Sequence, residues 1–310
     1  MAERVPPRRV DGLLLVDKPA GPTSNAVLQR VKRLYNAAKA GHGGTLDPMA
    51  SGLLAIVFGE AAKFSSALLE GDKTYTGVIQ LGVTTTTGDA EGAVTERHRV
   101  DAGAIDVAGL CHRFTGEITQ TPPNYSAIKV DGRPLYAYAR EGAAVSAKPR
   151  QVRIEQLRLA FEAPDRLRFA VTCGGGTYIR SLAEDIGRSI GCGAHLAELR
   201  RVASGPLTEQ MAVRYDTLET LTDVQRLAAL LPPDTMLYGL PRLELDDSTV
   251  ADLLHGRRTG APVGQSVGKS KIYERSGQFL GVAEVTADGR LVPVRLMATG
   301  QAAAKADHRF

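Results

Sequence analysis

The chain of 310 residues is long enough to bury a substantial core, as one large domain or as two. Its 23% charged and 43% hydrophobic residues exclude a disordered chain, and its apolar stretches are too short to span a membrane. A net charge of +4 and a pI near 9.0 favour an anionic partner only weakly.

The N-terminus and the cysteines indicate a cytoplasmic protein. The first residues, MAERVPPRRV, carry positive charge but no apolar core, so they do not form a secretory signal. Cys111, Cys173 and Cys192 are widely separated and form no C-x-x-C pair, which is typical of reduced thiols. The adjacent pair Cys111-His112 lies in a predicted amphipathic helix, and we expect no metal site.

Apolar patterning predicts the elements of the first half of the chain. Thr23 or Ser24 is expected to cap a helix whose apolar stripe contains Val27, Val31 and Leu34. Strands are predicted at residues 13–16, 53–58 and 73–81, a helix at residues 60–69, and a polar turn region at residues 84–92.

The second half begins with alternating strands and helices and becomes strand-rich. Helices are predicted at residues 105–114, 135–140, 177–190 and 216–231, and strands at residues 152–161, 167–172, 271–273, 279–285 and 291–296. Pro232-Pro233 ends the last helix and marks a domain boundary. This order predicts an α+β fold with a mixed sheet, and the tail, residues 301–310, is expected to be disordered.

A glycine-rich loop is the most informative feature. Residues 41–54 read GHGGTLDPMASGLL, which places His42 and Asp47 among four glycines before an apolar strand. The glycines allow positive φ or close approach by another group, and Pro48 biases Asp47 towards extended geometry. An Asp-Pro pair often only initiates a turn. Here the crowding of His42, Thr45 and Asp47 favours a functional loop held at the end of a rigid strand.

This loop resembles the catalytic motif of the TruB family of tRNA pseudouridine synthases, and other segments match that family in the same order. Together they cover most of residues 11–205. The matching segments are GLLLVDKP from Gly12, GPTSN from Gly21, DKTY from Asp72, the P-x-Y-S-A-x-K block from Pro123, and GTYIR from Gly176.

The resemblance implies an enzyme that converts the uridine at position fifty-five of the tRNA T loop to pseudouridine. It implies a mixed-sheet catalytic domain at residues 1–235 and a small β-rich PUA-like RNA-binding module at residues 236–300. The T-arm of tRNA is the expected partner. Neither a guide RNA nor an obligatory protein partner is expected.

The resemblance also assigns roles to single residues. Asp47 is the nucleophile, Tyr75 stacks on the flipped uracil and assists removal of the C5 proton, and Arg180 pairs with Asp47. The resemblance assigns contacts with the substrate to His42, Tyr178 and Leu199. Lys18-Pro19 supports the Asp47 loop. A tyrosine at the start of a strand is more often a core residue, so the role of Tyr75 depends on the family match.

Physical chemistry gives a second reason to expect an acidic partner for Arg180. It lies in the first turn of a predicted helix, where the positive end of the helix dipole disfavours a cation. An acidic partner is therefore expected, and Asp47 would serve, although solvent or an RNA phosphate would serve as well. An adjacent guanidinium would favour the charged carboxylate.

Basic clusters along the chain are expected to follow the phosphates of RNA rather than only face solvent. These clusters contain Arg30, Lys32, Arg33 and Lys39; Lys148, Arg150 and Arg153; and Arg200 and Arg201.

No cofactor is expected. The segment GQSVGKS, from Gly264, ends like a P-loop, but three residues separate its glycines where a phosphate-binding loop has four. No complete G-x-G-x-x-G sequence occurs. Isomerisation of uridine also needs no added electrons, phosphate or water.

Three alternatives remain at this point. A guide-dependent pseudouridine synthase acting on ribosomal RNA shares the Asp loop and a C-terminal RNA module. A non-catalytic RNA-binding protein would need only the basic clusters, but would place Asp47 poorly because a carboxylate repels phosphates. An Asp-dependent glycosidase would require a second carboxylate as general acid, and no comparable loop supplies one.

Overall fold

The computed structural model describes residues 6–298 except 127, 142, 144 and 146. The predicted disordered tail, residues 301–310, lies outside the described residues.

Seven α-helices occur within this part of the chain, and none of its helices is long and apolar enough to cross a membrane. The helices are α1 (Ser24–Leu34), α2 (Ser66–Glu70), α3 (Val107–Arg113), α4 (Leu135–Arg140), α5 (Ile179–Ile190), α6 (Asp223–Ala228) and α7 (Asp247–Leu254). As predicted, Thr23 caps α1: its side chain accepts a hydrogen bond from the Ala26 N–H at 3.1 Å. Helix α5 ends at Gly191, which has a positive φ of 88°.

The strands vary from two to fourteen residues in length. In chain order they are β1 (Gly12–Lys18), β2 (Ala40–His42), β3 (Ser51–Phe58), β4 (Lys73–Leu81), β5 (Val83–Thr85), β6 (Val94–Arg97), β7 (Gly116–Gln120), β8 (Lys129–Val130), β9 (Arg133–Pro134), β10 (Arg150–Ala163), β11 (Arg166–Cys173), β12 (Ala194–Ser204), β13 (Leu207–Thr208), β14 (Val213–Arg214), β15 (Arg242–Leu245), β16 (Thr259–Gly260), β17 (Gly268–Glu274), β18 (Phe279–Val285) and β19 (Arg290–Leu296).

A ten-stranded mixed sheet forms the centre of the molecule. Its main path runs β14-β1-β3-β12-β4-β11-β10-β7, with β13 beside β12 and β2 beside β3. The β1–β14 and β3–β12 pairs are parallel, and the other pairs are antiparallel. The predicted α+β class with a mixed sheet is confirmed. Strand β12 lies between β3, which follows the Asp47 loop, and β4, which carries Tyr75.

Both faces of the central strands are buried, which explains their continuous apolar sequences. In β1, Leu14 and Val16 belong to the core beneath α1 and α5, while Leu13 and Leu15 face a second core. That second core includes Phe64 on one side and residues of the C-terminal segment on the other. Alternation of side chains along a strand sends successive residues to opposite faces, so both faces must be apolar here.

The C-terminal segment forms its own five-stranded sheet, ordered β15-β17-β18-β19-β16, with α7 packed against it. A separate apolar core lies beneath it, with Leu253, Ile272 and Leu291 among its buried members. The predicted small β-rich C-terminal module is confirmed. Its boundary at residue 235 stays a prediction.

Several details of the secondary structure differ from expectation. The predicted helix at residues 60–69 is a 3-10 helix, Gly59–Phe64, followed by α2, and the one at 216–231 is interrupted between Thr217–Glu219 and α6. Part of the predicted turn region forms the β5–β6 hairpin. Strand β12 and helix α7 were not predicted. Most of the missed segments are polar, and their positions depend on partners distant in sequence.

Candidate active site

The glycine-rich loop connects β2 to β3 and holds Asp47 beside the central sheet. Gly44 and Gly52 have φ values of 100° and 97°, where a side chain is strained. A Cβ on Gly52 would lie 2.3 Å from the Arg201 carbonyl oxygen, so this glycine also permits close approach of β12. The expectation of a specifically shaped loop holds at both positions.

Lys18 stabilises this loop from one side. Its side chain is fully buried, and its Nζ donates hydrogen bonds to the carbonyl oxygens of Pro19, Pro48 and Ala50 at 3.0, 3.2 and 2.6 Å. The last two carbonyls follow Asp47 directly in the chain. Burial lowers the pKa of Lys18 to about 8, because the charged amine is removed from water.

We expect the single-turnover rate to fall as pH rises through about 8, where Lys18 loses its charge. A neutral amine has two N–H donors for three carbonyl oxygens, so the Asp47 loop loses one of its constraints. Lys18→Met should be slow at every pH and lack this titration. Lys39→Met removes an exposed lysine that does not line the pocket, and as the control it should keep the titration near pH 8. A wild-type profile that stays flat through this pH would contradict the prediction, as would an unchanged profile in Lys18→Met.

Asp47 and Arg180 form an ion pair, as the helix-dipole argument anticipated. The Arg180 Nε lies 3.0 Å from Asp47 Oδ2, and its terminal nitrogen donates to Asp47 Oδ1 at 3.4 Å. Further guanidinium hydrogen bonds go to the carbonyl oxygens of Thr87 and Tyr125 at 3.1 and 2.9 Å. These contacts hold the guanidinium plane fixed beside the carboxylate.

A second carboxylate lies on the same guanidinium. Asp89 Oδ2 is 3.6 Å from Arg180 Nη1, and both side chains are about 95% buried. Asp89 was predicted to lie in a turn and was not expected in the site, because its partner is 91 residues away in the chain. Asp89 is enclosed and held by Thr87 Oγ1, whereas a third of the Asp47 side chain is exposed. Asp47 is therefore the carboxylate that a substrate can reach.

The pKa of Asp47 is raised above its ordinary value, chiefly because burial disfavours the charged form. The Arg180 and Lys18 charges oppose this rise, and the Asp89 charge adds to it. Arg180 thus favours ionisation, as expected, but does not cancel the effect of burial. The result is a carboxylate that is poorly solvated when ionised, a state that favours reaction with an electrophile.

Asp47 opens into a pocket of about 480 Å³. Among the predicted site residues, those that line it are Asp47, Tyr75, Tyr178, Arg180 and Leu199. They come from the glycine-rich loop, β4, the start of α5 and β12. The structure therefore assembles residues that are far apart in the sequence around one cavity.

His42 and Lys18 do not line this pocket. His42 ends β2 and lies beside the loop, where burial and the nearby Arg201 charge lower its pKa. Its Nδ1 is buried without a hydrogen-bond partner in the described part of the chain. The lowered pKa favours the neutral form of this imidazole.

The basic clusters are only partly free to contact RNA, and the expectation that they follow RNA phosphates is wrong for the buried Arg201. Arg201 is 3% exposed, and Arg200 pairs with Asp17 and Glu209 at 2.9 and 2.7 Å. Other members of the clusters also have protein partners: Arg30 pairs with Glu219 and Arg153 with Glu155. Lys39 and Arg33 remain exposed near the loop.

Tyr125 and Arg201 are further pocket residues that the sequence analysis did not assign to the site. Tyr125 lies in the matched P-x-Y-S-A-x-K block, which was a usable signal. Arg201 was predicted to contact RNA phosphates, because the strand that buries it was not recognised.

Models of known protein families match nearly the whole chain. Residues 32–179 match the TruB family pseudouridylate synthase N-terminal domain, residues 180–237 the tRNA pseudouridylate synthase B C-terminal domain, and residues 241–297 the C-terminal domain of pseudouridine synthase II TruB.

Curated relatives agree with these matches. A tRNA pseudouridine synthase B of Burkholderia mallei is 49% identical over 303 residues, covering 96% of this chain and 97% of the relative. One from Stutzerimonas stutzeri is 48% identical over 294 residues, covering 94% and 96%.

Solved structures with a similar fold include a Cbf5-Nop10-Gar1 complex, with a TM-score of 0.68, and an H/ACA RNP bound to a substrate RNA, with a TM-score of 0.67. In both, the matching chain is 26% identical, and the match covers 92% of this chain and 84% of that one. Family matches along almost all of the chain, together with relatives of nearly equal length, establish that this chain belongs to the TruB family of pseudouridine synthases.

Proposed function

We propose that this protein is a tRNA pseudouridine synthase that isomerises the uridine at position fifty-five of the T loop, without a cofactor or guide RNA. The observation that carries the proposal is the partly exposed Asp47 carboxylate, ion-paired with buried Arg180 at the wall of a pocket lined by tyrosines. The names of the bacterial relatives support tRNA as the substrate.

The reaction requires one bond to break and another to form. The bond between ribose C1′ and uracil N1 breaks, the base turns, and a bond forms between C1′ and C5. The C5 proton leaves to solvent, and N1 gains a proton, so the reaction needs no net addition of atoms or electrons. Asp47 supplies the nucleophile, and Arg180 keeps it ionised and oriented.

A uridine stacked in a folded RNA loop must leave the stack to reach Asp47, at a cost of roughly a few kcal/mol. The pocket offsets part of this cost with apolar and aromatic surface. Tyr75 provides a stacking face, while Tyr178 and Leu199 enclose the base. We infer that His42, which ends β2 outside the pocket, contacts the RNA around the space that the base leaves.

Tritium release tests the proposal directly. A tRNA transcript carrying C5-tritiated uridine should release tritium when mixed with the purified protein alone. A transcript with cytidine at position fifty-five should release none above background. Release that persists from this second transcript would overturn the site assignment, and no release from either would overturn the proposed activity.

The H/ACA complexes of similar fold raise the alternative of a guide-dependent enzyme. The near-complete coverage of the bacterial relatives favours an enzyme that acts alone. Activity that appears only after guide RNA and partner proteins are added would favour the alternative.

Tyr75 gives a graded prediction. Tyr75→Phe should preserve tRNA binding and base capture but slow the isomerisation by about 10²-fold, because the hydroxyl that assists proton transfer is lost. Tyr75→Leu should also lose stacking and therefore weaken capture. Single-turnover rates and filter-binding affinities separate the two effects. Equal activity of all three proteins would leave Tyr75 as a core residue only.

The C-terminal module should serve binding more than chemistry, since the pocket is lined by residues that precede it. A truncation after Leu240 keeps Met236 and Leu237 in the second core. We expect weaker tRNA affinity but a single-turnover rate near that of the full chain at saturating enzyme. A folded truncation with a collapsed rate would contradict this division of roles.

A further inference from the structure

Arg201 is a buried cation at the centre of the site. It lies on β12 between two strands, opposite Gly52 of β3 on one side and opposite Tyr75 of β4 on the other. It lines the pocket that contains Asp47 and is 3% exposed. Within the described part of the chain, no carboxylate oxygen lies within 4.0 Å of its guanidinium.

The guanidinium contacts both ends of the Asp47 loop. Its Nε donates to the Leu53 carbonyl oxygen at 2.7 Å, and a terminal nitrogen donates to the Gly44 carbonyl oxygen at 3.3 Å. Gly44 precedes Asp47 and Leu53 follows it. The parallel β3–β12 pairing ends at Gly52, so the side chain supplies a donor to the carbonyl where the strand ladder stops.

The same side chain interacts with Tyr75. Directly opposed residues of antiparallel strands present their side chains on one face. The nearby Arg201 charge opposes the rise that burial causes in the pKa of the Tyr75 hydroxyl. Arg201 therefore contacts the loop that carries the carboxylate and the strand that carries the stacking residue.

We propose that Arg201 is a positioning residue for the isomerisation, which fixes the Asp47 loop relative to Tyr75. This inference rests on the proposed function. Lys18 binds carbonyl oxygens of the part of the loop just after Asp47, so two buried cations hold the loop that carries the carboxylate by its backbone carbonyls. Because small displacements of reacting groups are costly, loss of either constraint slows the chemical step more than binding.

The test compares Arg201→Gln with Arg200→Gln. Arg200 is the next residue of the same strand, but its side chain pairs with Asp17 and Glu209 away from the pocket. Arg201→Gln should lower the single-turnover tritium-release rate by about 10- to 100-fold and leave tRNA affinity within about threefold. Arg200→Gln should keep the wild-type rate within about twofold, which controls for disturbance of β12.

A second comparison separates positioning from general stability. In a Tyr75→Phe background, Arg201→Gln should lower the isomerisation rate by a smaller factor than it does in the wild type. The Tyr75 hydroxyl, one of the groups that Arg201 aligns, is already absent from that background. A residue that only stabilises the fold would lower the melting temperature and leave the rate of the folded protein unchanged.

Three results would overturn the inference: a wild-type rate for folded Arg201→Gln, a loss of affinity without a loss of rate, or equal fold losses in both backgrounds. If Arg201→Gln does not fold, Arg201→Lys replaces it. A lysine keeps the charge but lacks the planar guanidinium with its separate Nε and terminal donors, so a wild-type rate from that variant would also overturn the inference. Wild-type tritium release in the same assay shows whether the proposed function itself stands.

Discussion

Asp47→Asn is expected to abolish isomerisation while tRNA still binds. The amide keeps the size of the carboxylate and its ability to accept a hydrogen bond from Arg180, but it is a poor nucleophile. We expect a fall in rate of at least about 10³-fold. Binding should be equal or tighter, since one repulsion between carboxylate and phosphate disappears. Single-turnover rate and filter-binding affinity are measured on the same preparation.

The control for this variant is Asp17→Asn. Asp17 is a partly exposed carboxylate in an ion pair with Arg200, outside the pocket. Its removal should leave the isomerisation rate within about twofold. Mass spectrometry of the Asp47→Asn protein measures the fraction converted back to aspartate. Turnover that exceeds this fraction would remove Asp47 from the mechanism.

Strands with simple apolar patterning could be predicted from the sequence almost residue by residue. The predicted strand at residues 73–81 matches β4, and the prediction at 53–58 misses only the first two residues of β3. Burial of β3 on both faces produces a long apolar run, which is a strong local signal. Strand β12 gave no such signal, because it places His195 and Arg201 in buried positions among its apolar residues. The groups that stabilise these two buried side chains lie far away in the chain.

One missed boundary was readable. The sequence from Thr222 to Gln225 forms a capping box, in which each side chain bonds the other's backbone N–H, and it begins α6. Recognising it would have divided the predicted helix at residues 216–231. Asp89 is a different case: Gly88-Asp89 has the local chemistry of a turn, and only the fold brings it to Arg180.

The balance of burial and nearby charges that sets the Asp47 pKa could not be predicted from the sequence either. The helix dipole predicted an acidic group near Arg180, but the number of acidic groups there could not be predicted. Two carboxylates share this guanidinium, and burial then determines the sign of the net pKa shift at Asp47. Substitutions of Arg180 and of Asp89 should therefore shift the titration of Asp47 in opposite directions.

Arg180→Ala is expected to move the acid limb of the pH–rate profile to higher pH. Asp47 must be ionised to react, its pKa is already raised, and Arg180 is the strongest group that lowers it. Removing the guanidinium leaves Asp47 and Asp89 as neighbouring like charges, so Asp47 takes up a proton at higher pH. The rate should fall by at least about 10²-fold, and stability by about 3–5 kcal/mol in urea unfolding, since a buried ion-pair partner is lost.

Asp89→Asn is the matched variant, and it should move the same limb to lower pH. It removes the repulsion that raises the Asp47 pKa and leaves the Arg180 contacts to Asp47, Thr87 and Tyr125 in place. Arg180→Lys keeps the charge but loses the planar geometry, so its rate should fall with a smaller displacement of the limb. Displacements in the same direction for Arg180→Ala and Asp89→Asn would show that the acid limb reports another group. The Asp47–Arg180–Asp89 arrangement would then serve stability rather than the ionisation of the nucleophile.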